Sequence, residues 1–308
     1  MRWERLVDSI RADNTSGAAE LAKTAAMAVL EWIDQTMWMP LPAWKAELSA
    51  FASGLRRVQP AMAPLFNLVN MILLVLESTA VQQELQPCVR GAVRAFLEQL
   101  THTTACVTRA TLGLLPPGAH VLTFSYSSSV LAVLLEAHAR QRLSRVFCTE
   151  GRPMLEGQRL TQQLSRAGIA VEFGIDAVIA SFAERADIAL VGADGITMRG
   201  IVNKLGTTSL ALACQHAGIP CYVVADRHKW FPAAAAMPVF GESKPAAEVW
   251  SAPPPGVSIW NTYFECTPMM LFSGIVGEDG PQGPEDLLRQ LIEMPMAQVL
   301  RGGSEGVH

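Results

Sequence analysis

No apolar stretch in this chain is long enough to cross a bilayer. The longest, Leu68 to Leu76, is broken by Asn70, and a spanning helix needs about 20 apolar residues. The opening Met1-Arg-Trp-Glu-Arg is charged and lacks the apolar core of a secretory leader. Neither sign of charge dominates: 24 Lys and Arg stand against 28 Asp and Glu, a formal net charge of −4. That balance gives no basic surface of the kind that binds nucleic acid. The six cysteines, Cys88, Cys106, Cys148, Cys214, Cys221 and Cys266, contain no Cys-x-x-Cys spacing and lie mostly in apolar runs. They read as buried free thiols of a reducing compartment. The chain has no Gly-x-Gly-x-x-Gly, no Walker-type loop, no Gly-x-Ser-x-Gly elbow and no His-x-His or His-Glu-x-x-His pair. A cytoplasmic protein is expected, without metal or cofactor and without a membrane or nucleic-acid partner.

What is present is core. Hydrophobic residues make up 50% of the 308 and charged residues 17%, ample for one large or two ordinary domains. Residues 1–112 carry apolar side chains at helical spacing and no strand alternation. Helices are expected over 17–36, after the candidate caps Asp13 to Gly17, and over 43–56, 65–79 and 80–101 with an extension toward 114. Pro60 and Pro64 mark an interruption. Leu115-Pro-Pro-Gly118 is the boundary signal. Beyond it, short β-rich runs at 120–124, 145–149, 170–174, 188–191, 220–225 and 257–260 alternate with helical windows at 128–140, 156–167, 177–184 and 207–217. That alternation predicts a parallel sheet with crossover helices. The segment 231–256 reads as a Pro- and Ala-rich excursion, 284–292 as a last helix and 301–308 as a frayed tail. The expectation is an α/β protein of two domains: an all-helical 1–115 and a Rossmann-like 116–308.

Chemistry concentrates around Gly192-Ala-Asp-Gly195. The buried run Ile188 to Val191 ends there, lifting Asp194 to the carboxyl end of a strand, where open α/β sheets bind ligands. Asn203 and Lys204 follow, just before the helix at 207. Thr123-Phe-Ser-Tyr-Ser-Ser-Ser129 joins the first strand to its helix. Its hydroxyls and helix-start amides suit an anion and equally suit ordinary capping. Arg152, after the second strand, can grip a carboxylate or phosphate with two parallel donors. Arg159 reads either as a ligand group or as a solvated charge. Asp176 reads as a cap for the helix at 177–184, and His228 has no companion ligands for a metal.

These pieces carry a resemblance. Val121-Leu-Thr-Phe-Ser-Tyr-Ser127, Glu150-Gly-Arg-Pro153, Gly157-Gln-Arg-Leu-Thr161, Gly192-Ala-Asp-Gly-Ile196, Asn203-Lys-Leu-Gly-Thr207, Gly218-Ile-Pro-Cys-Tyr-Val223 and Phe264-Glu-Cys-Thr-Pro268 run in family order. Asp13-Asn-Thr-Ser-Gly-Ala18 and Gln59-Pro-Ala-Met62 are weaker echoes. Together they resemble the family shared by the initiation factor 2B alpha, beta and delta subunits and two isomerases, those of methylthioribose-1-phosphate and ribose-1,5-bisphosphate. The resemblance implies a helical domain, a Rossmann-like domain, a phosphorylated small-molecule ligand and a homodimer formed mainly through the C-terminal domain. It assigns Asp194 to catalysis and Arg152, Asn203 and Lys204 to the substrate.

One departure matters. Ser125 stands where the isomerases carry a catalytic cysteine. A thiol with a pKa of about 8.5 can exchange protons near neutrality, whereas a serine hydroxyl needs an adjacent base. Glu265 also replaces the usual aspartate before Thr-Pro. On the sequence alone, Ser125 favours a regulatory protein that binds a phosphorylated sugar or nucleotide. The alternative is an aldose–ketose isomerase acting on a ribose phosphate, with Ser125 at most a relay through water.

Overall fold

A computed structural model describes residues 3–13, 16–236 and 241–301. Five helices come first: α1 (Trp3–Ala12), α2 (Ala18–Thr36), α3 (Leu41–Val58), α4 (Ala63–Ser78) and α5 (Leu85–Leu112). In α2 the side chains of Leu21, Ala22, Ala25, Ala26, Val29, Trp32 and Ile33 fall on one face and are all buried, the periodicity of an amphipathic helix. Of the expected cap run 13–17, Asn14 and Thr15 lie outside the described residues. Gly17 is the cap, and the Glu20 carboxylate reaches back to its N–H at 3.2 Å. Pro64 sits in the first turn of α4, where a missing N–H costs nothing. Trp44, Phe51 and Leu48 of α3 are fully enclosed at the centre of this helical layer.

The rest of the chain runs β1 (Ala119–Phe124), α6 (Ser128–Ala139), β2 (Leu143–Thr149), α7 (Glu156–Arg166), β3 (Val171–Gly174), α8 (Ile179–Ala183), β4 (Ile188–Val191), β5 (Gly195–Thr197), β6 (Gly200–Lys204), α9 (Thr207–Ala217) and β7 (Cys221–Val224), then β8 (Phe264–Thr267), β9 (Gly274–Gly277), β10 (Gly280–Gln282), α10 (Pro284–Glu293) and α11 (Gln298–Arg301). Seven strands form one sheet in the order β3-β2-β1-β4-β7-β9-β10. All neighbours are parallel except the β9–β10 hairpin. This is the doubly wound arrangement, with the order reversing between β1 and β4. One face buries Val130, Val133 and Leu134 of α6 with Leu160 and Leu164 of α7 and the last turns of α5 through Val107 and Leu112. The other face buries Phe182 of α8, Leu210 and Ala211 of α9, and Leu287 and Leu291 of α10.

Three sequence expectations change. Residues 257–260 form no strand. Residues 195–204, where no strand was expected, fold into β5 and β6; β6 pairs antiparallel with both β5 and β8 in a small second sheet. Strands this short, each turning on a glycine, leave too few alternating residues to be read. The expected tail from 302 onward lies outside the described residues. Asp176 caps no helix: its two carboxylate oxygens accept the backbone N–H groups of Gly151 and Arg152 at 2.9 and 2.8 Å, fixing the loop after β2.

The start of α7 presses on that same loop. A Cβ on Gly157 would stand 1.8 Å from the carbonyl oxygen of Thr149, so only glycine lets helix and strand approach. Gly157→Ala is expected to lower stability by about 1–3 kcal/mol. An unchanged urea midpoint would mean that α7 is not held against β2.

Polar contacts from α4 help to tie the helical layer to the rest of the chain. The Asn67 side-chain amide donates to the carbonyls of His228 and Trp230 at 2.7 and 2.8 Å. Asn70 donates to Pro295 and accepts from Ala297, each at 2.9 Å. The N–H of Ala63, at the first turn of α4, donates to the carbonyl of Asp194 at 2.9 Å. The last of these satisfies a helix-end donor that would otherwise be unpaired, and it brings the helical layer against the Gly-Ala-Asp-Gly turn.

Candidate functional site

Ser125 follows β1 and Asp194 follows β4, so the two residues flank the point where strand order reverses. In doubly wound sheets the crevice outside the strand ends at that point is where ligands bind. A cavity opens there. Ser125, Tyr126, Glu156, Asp194, Asn203, Lys204, Lys244, Tyr263 and Phe264 line it from the sheet side, and Asp13, Ser16, Gln59 and Met62 from the helical side.

Each group is held by local structure. The Asp194 N–H donates to the carbonyl of Val202 at 2.9 Å, which locks the turn onto β6. Asn203 and Lys204 end β6. The Asn203 side chain donates to the Thr207 hydroxyl at 3.0 Å, and that hydroxyl donates to the Lys204 carbonyl at 2.6 Å. Glu265, across the register from Asn203 on β8, accepts the N–H groups of Gly206 and Thr208 at 2.8 and 2.9 Å. It therefore serves as the anionic cap of α9. Ser125 sits at φ 61°, left-handed backbone that non-glycine residues adopt mainly where surrounding structure enforces it. Its side chain is buried at the cavity floor.

The electrostatics are those of an enclosed, mixed-charge site. Lys204 is buried and its Nζ lies 2.7 Å from Glu156 Oε1 and 5.4 Å from the centre of the Tyr263 ring. Lys244 Nζ stands on the same ring at 5.2 Å. The Tyr263 hydroxyl in turn donates to Glu248 at 2.6 Å. Asp194 is partly buried and lines the cavity. Burial pushes its carboxyl above the usual aspartate value; Lys229 and Lys204 draw it partly back, and Glu156 pushes it up. A carboxyl raised in this way can hold a proton and give it up within one reaction cycle.

Four of the five residues singled out from the sequence, Ser125, Asp194, Asn203 and Lys204, thus line one cavity. Arg152 does not line it. Its guanidinium is exposed and donates to the carbonyls of Glu248 and Val249 at 3.4 and 3.3 Å, anchoring the 231–256 excursion beside the mouth. Arg159 also points elsewhere. It lies over the Tyr126 ring at 4.1 Å and pairs with Glu20 at 3.1 Å, joining α7 to α2. Sequence reasoning passed over Glu156, Lys229, Lys244 and Tyr263. Glu156 reads in sequence as an ordinary acid in the first turn of a helix. Lys229 is in a run that drew attention only to His228, and its signal was its place at the end of β7.

Among the described residues no cluster of His, Cys, Asp or Glu could hold a metal, and no helix is long and apolar enough to cross a membrane. All six cysteines are free. Cys148, Cys214 and Cys221 are buried, whereas Cys88 is exposed. Burial pushes the Cys148 thiol up to about 12, so it is inert as a nucleophile.

Comparison with known proteins places this geometry. A ribose 1,5-bisphosphate isomerase of Archaeoglobus fulgidus is 29% identical over 288 residues, covering 90% of this chain and 88% of its own. A methylthioribose-1-phosphate isomerase of Gemmatimonas aurantiaca is 31% identical over 297 residues, covering 91% and 85%. The crystal structure of the Pyrococcus horikoshii OT3 translation initiation factor eIF-2B superposes with a TM-score of 0.81 at 29% identity, covering 93% of this chain and 98% of that one. The model of the Initiation factor 2 subunit family matches residues 14–284. That span takes in both the helical wall and the strand-end carboxyl of the cavity, and the chain belongs to the Initiation factor 2 subunit family.

Proposed function

We propose that the protein is an aldose–ketose isomerase acting on a ribose phosphorylated at C1. The observation that carries the reading is Asp194: a carboxyl at the sheet's switch point, raised by burial, sharing its cavity with the Glu156–Lys204 ion pair. A buried carboxyl with raised proton affinity beside an ion pair suits a group that takes up and releases a proton during a reaction. The two isomerase relatives are named for substrates that are both ribose 1-phosphates. Lys204 and Lys244 supply positive charge for the phosphate, and Asn203 offers a polar contact for sugar hydroxyls. The two-domain division belongs to this reading: 116–308 carries the acid–base groups and 1–115 closes the cavity. So does a homodimer through the C-terminal domain, for which light scattering should give twice the chain mass.

The test is proton NMR of the protein with ribose-1,5-bisphosphate and, separately, with methylthioribose-1-phosphate. Appearance of ketose signals from either supports the reading, and none from both contradicts it. Ser125 favours a second reading, the regulatory one: saturable broadening of the sugar signals without conversion would establish a binder that does not turn its ligand over.

A further inference from the structure

The isomerase reading leaves one role empty. Moving a carbonyl from C1 to C2 requires one group to take a proton from carbon and another to supply one to oxygen. Asp194 can be one of them. Ser125 is a poor candidate for the other, because among the described residues no base is hydrogen-bonded to its hydroxyl, and an unassisted alkoxide is out of reach near neutrality.

Glu156 is placed for it. It opens α7 and lines the cavity, and it is close enough to Asp194 to raise that residue's proton affinity. One carboxylate oxygen, Oε1, takes Lys204 at 2.7 Å. The other, Oε2, is buried and has no hydrogen-bond partner among the described residues. It lies at the Ser125 wall: an ideal Cβ on Gly151 would be 3.4 Å from it and 3.3 Å from Ser125 Cα. A buried carboxylate oxygen without a donor is costly. A purely structural carboxylate could have both oxygens completed by local N–H groups, as Asp176 has here.

We propose that Glu156 is the catalytic base that works opposite Asp194, in the role for which Ser125 is unsuited. This inference rests on the isomerase reading. With a furanose 1-phosphate, Glu156 takes the hydrogen of C2 as a proton. The C2–H electron pair becomes the C1–C2 double bond. The C1–O4 pair leaves with the ring oxygen, which takes the proton held by Asp194. The open enol carries its hydroxyl on C2. That hydroxyl returns a proton to Asp194, and its O–H pair completes the C2 carbonyl. The double-bond pair then collects at C1 the proton held by Glu156. The phosphate stays on C1 and both carboxyls end as they began.

The test compares wild type, Glu156→Gln and Glu156→Asp with ribose-1,5-bisphosphate and methylthioribose-1-phosphate. Glutamine keeps the shape and an acceptor for Lys204 but cannot take a proton. Glu156→Gln is expected to lower kcat by about 10³-fold with KM within about threefold, the signature of a group acting in the transition state. Glu156→Asp should recover part of kcat. A loss carried by KM alone would make Glu156 a positioning residue for Lys204 and overturn the proposal, as would a kcat within about threefold of wild type. If wild type turns over neither sugar, the isomerase reading fails and this inference falls with it. Turnover that survives Glu156→Gln overturns this inference alone.

Discussion

Asp194→Asn should abolish isomerisation, with kcat reduced by about 10³-fold or more while the sugar phosphate still binds. Asparagine preserves the volume, and the backbone contacts of residue 194 to Val202 and Ala63 do not involve its side chain. The fold should therefore persist. The same variant makes a second, independent statement about stability. Burial raises the Asp194 carboxyl in the folded protein. Its contribution to stability is then fully present below the ordinary aspartate pKa of about 3.9 and is lost as pH rises through the raised folded value. Above that value wild type holds an ionised, poorly solvated carboxylate that the variant lacks. Asp194→Asn should melt higher than wild type in mildly alkaline buffer, and the gap should close on acidification. A variant less stable than wild type at every pH would show that Lys229 and Lys204 outweigh burial.

The largest stability effect is expected at Lys204. Lys204→Met leaves Glu156 as a carboxylate with neither oxygen partnered. Removing one member of a buried pair costs about 3–5 kcal/mol; because the Glu156 side chain is 21% exposed, water relieves part of this and about 3 kcal/mol is expected. For a chain of this size that corresponds to a melting-temperature fall of roughly 6–10 °C. The Lys204→Met, Glu156→Gln double variant should regain at least half of the loss, since the stranded charge is gone. Failure of the second change to rescue the first would mean that Lys204 stabilises through Tyr263 and Asn203's neighbourhood rather than through Glu156.

What the sequence made legible follows the length of each signal. β1, β2, β4 and β7 each hold a short, mostly buried and mostly apolar run, and such runs between turn signals and helical windows locate them. Because Ser125 directly follows β1 and Asp194 lies in the turn after β4, the floor of the cavity is legible in the sequence. β5, β6 and β8 belong to a second sheet whose pairing is long-range: Asn203 meets Glu265 across more than sixty positions of sequence, and no local pattern announces that. Lys244 and Tyr263 escaped notice for the same reason. They come from the 231–256 excursion and its return, brought to the cavity by contacts such as the Lys244 N–H to the Asn261 carbonyl at 2.9 Å. Glu156 was hidden differently. An acid in a first helical turn is usual, and only its lack of a donor on Oε2 sets it apart. Arg152 shows the converse. Its place after β2 suggested a ligand contact, but Asp176 holds the loop so that the guanidinium meets the excursion backbone instead.

The central claim is that carboxyl groups at the β1/β4 crevice move a proton between C2 and C1 of a ribose 1-phosphate. The most direct measurement is the conversion of ribose-1,5-bisphosphate or methylthioribose-1-phosphate by wild type in deuterated buffer, with the product ketose examined by proton NMR at C1. The account predicts ketose product from wild type, with solvent deuterium at C1 to the extent that the carboxyl holding the C2 proton exchanges with water before returning it, and no product from Asp194→Asn. No product from wild type with either sugar, or equal product from Asp194→Asn, would contradict it.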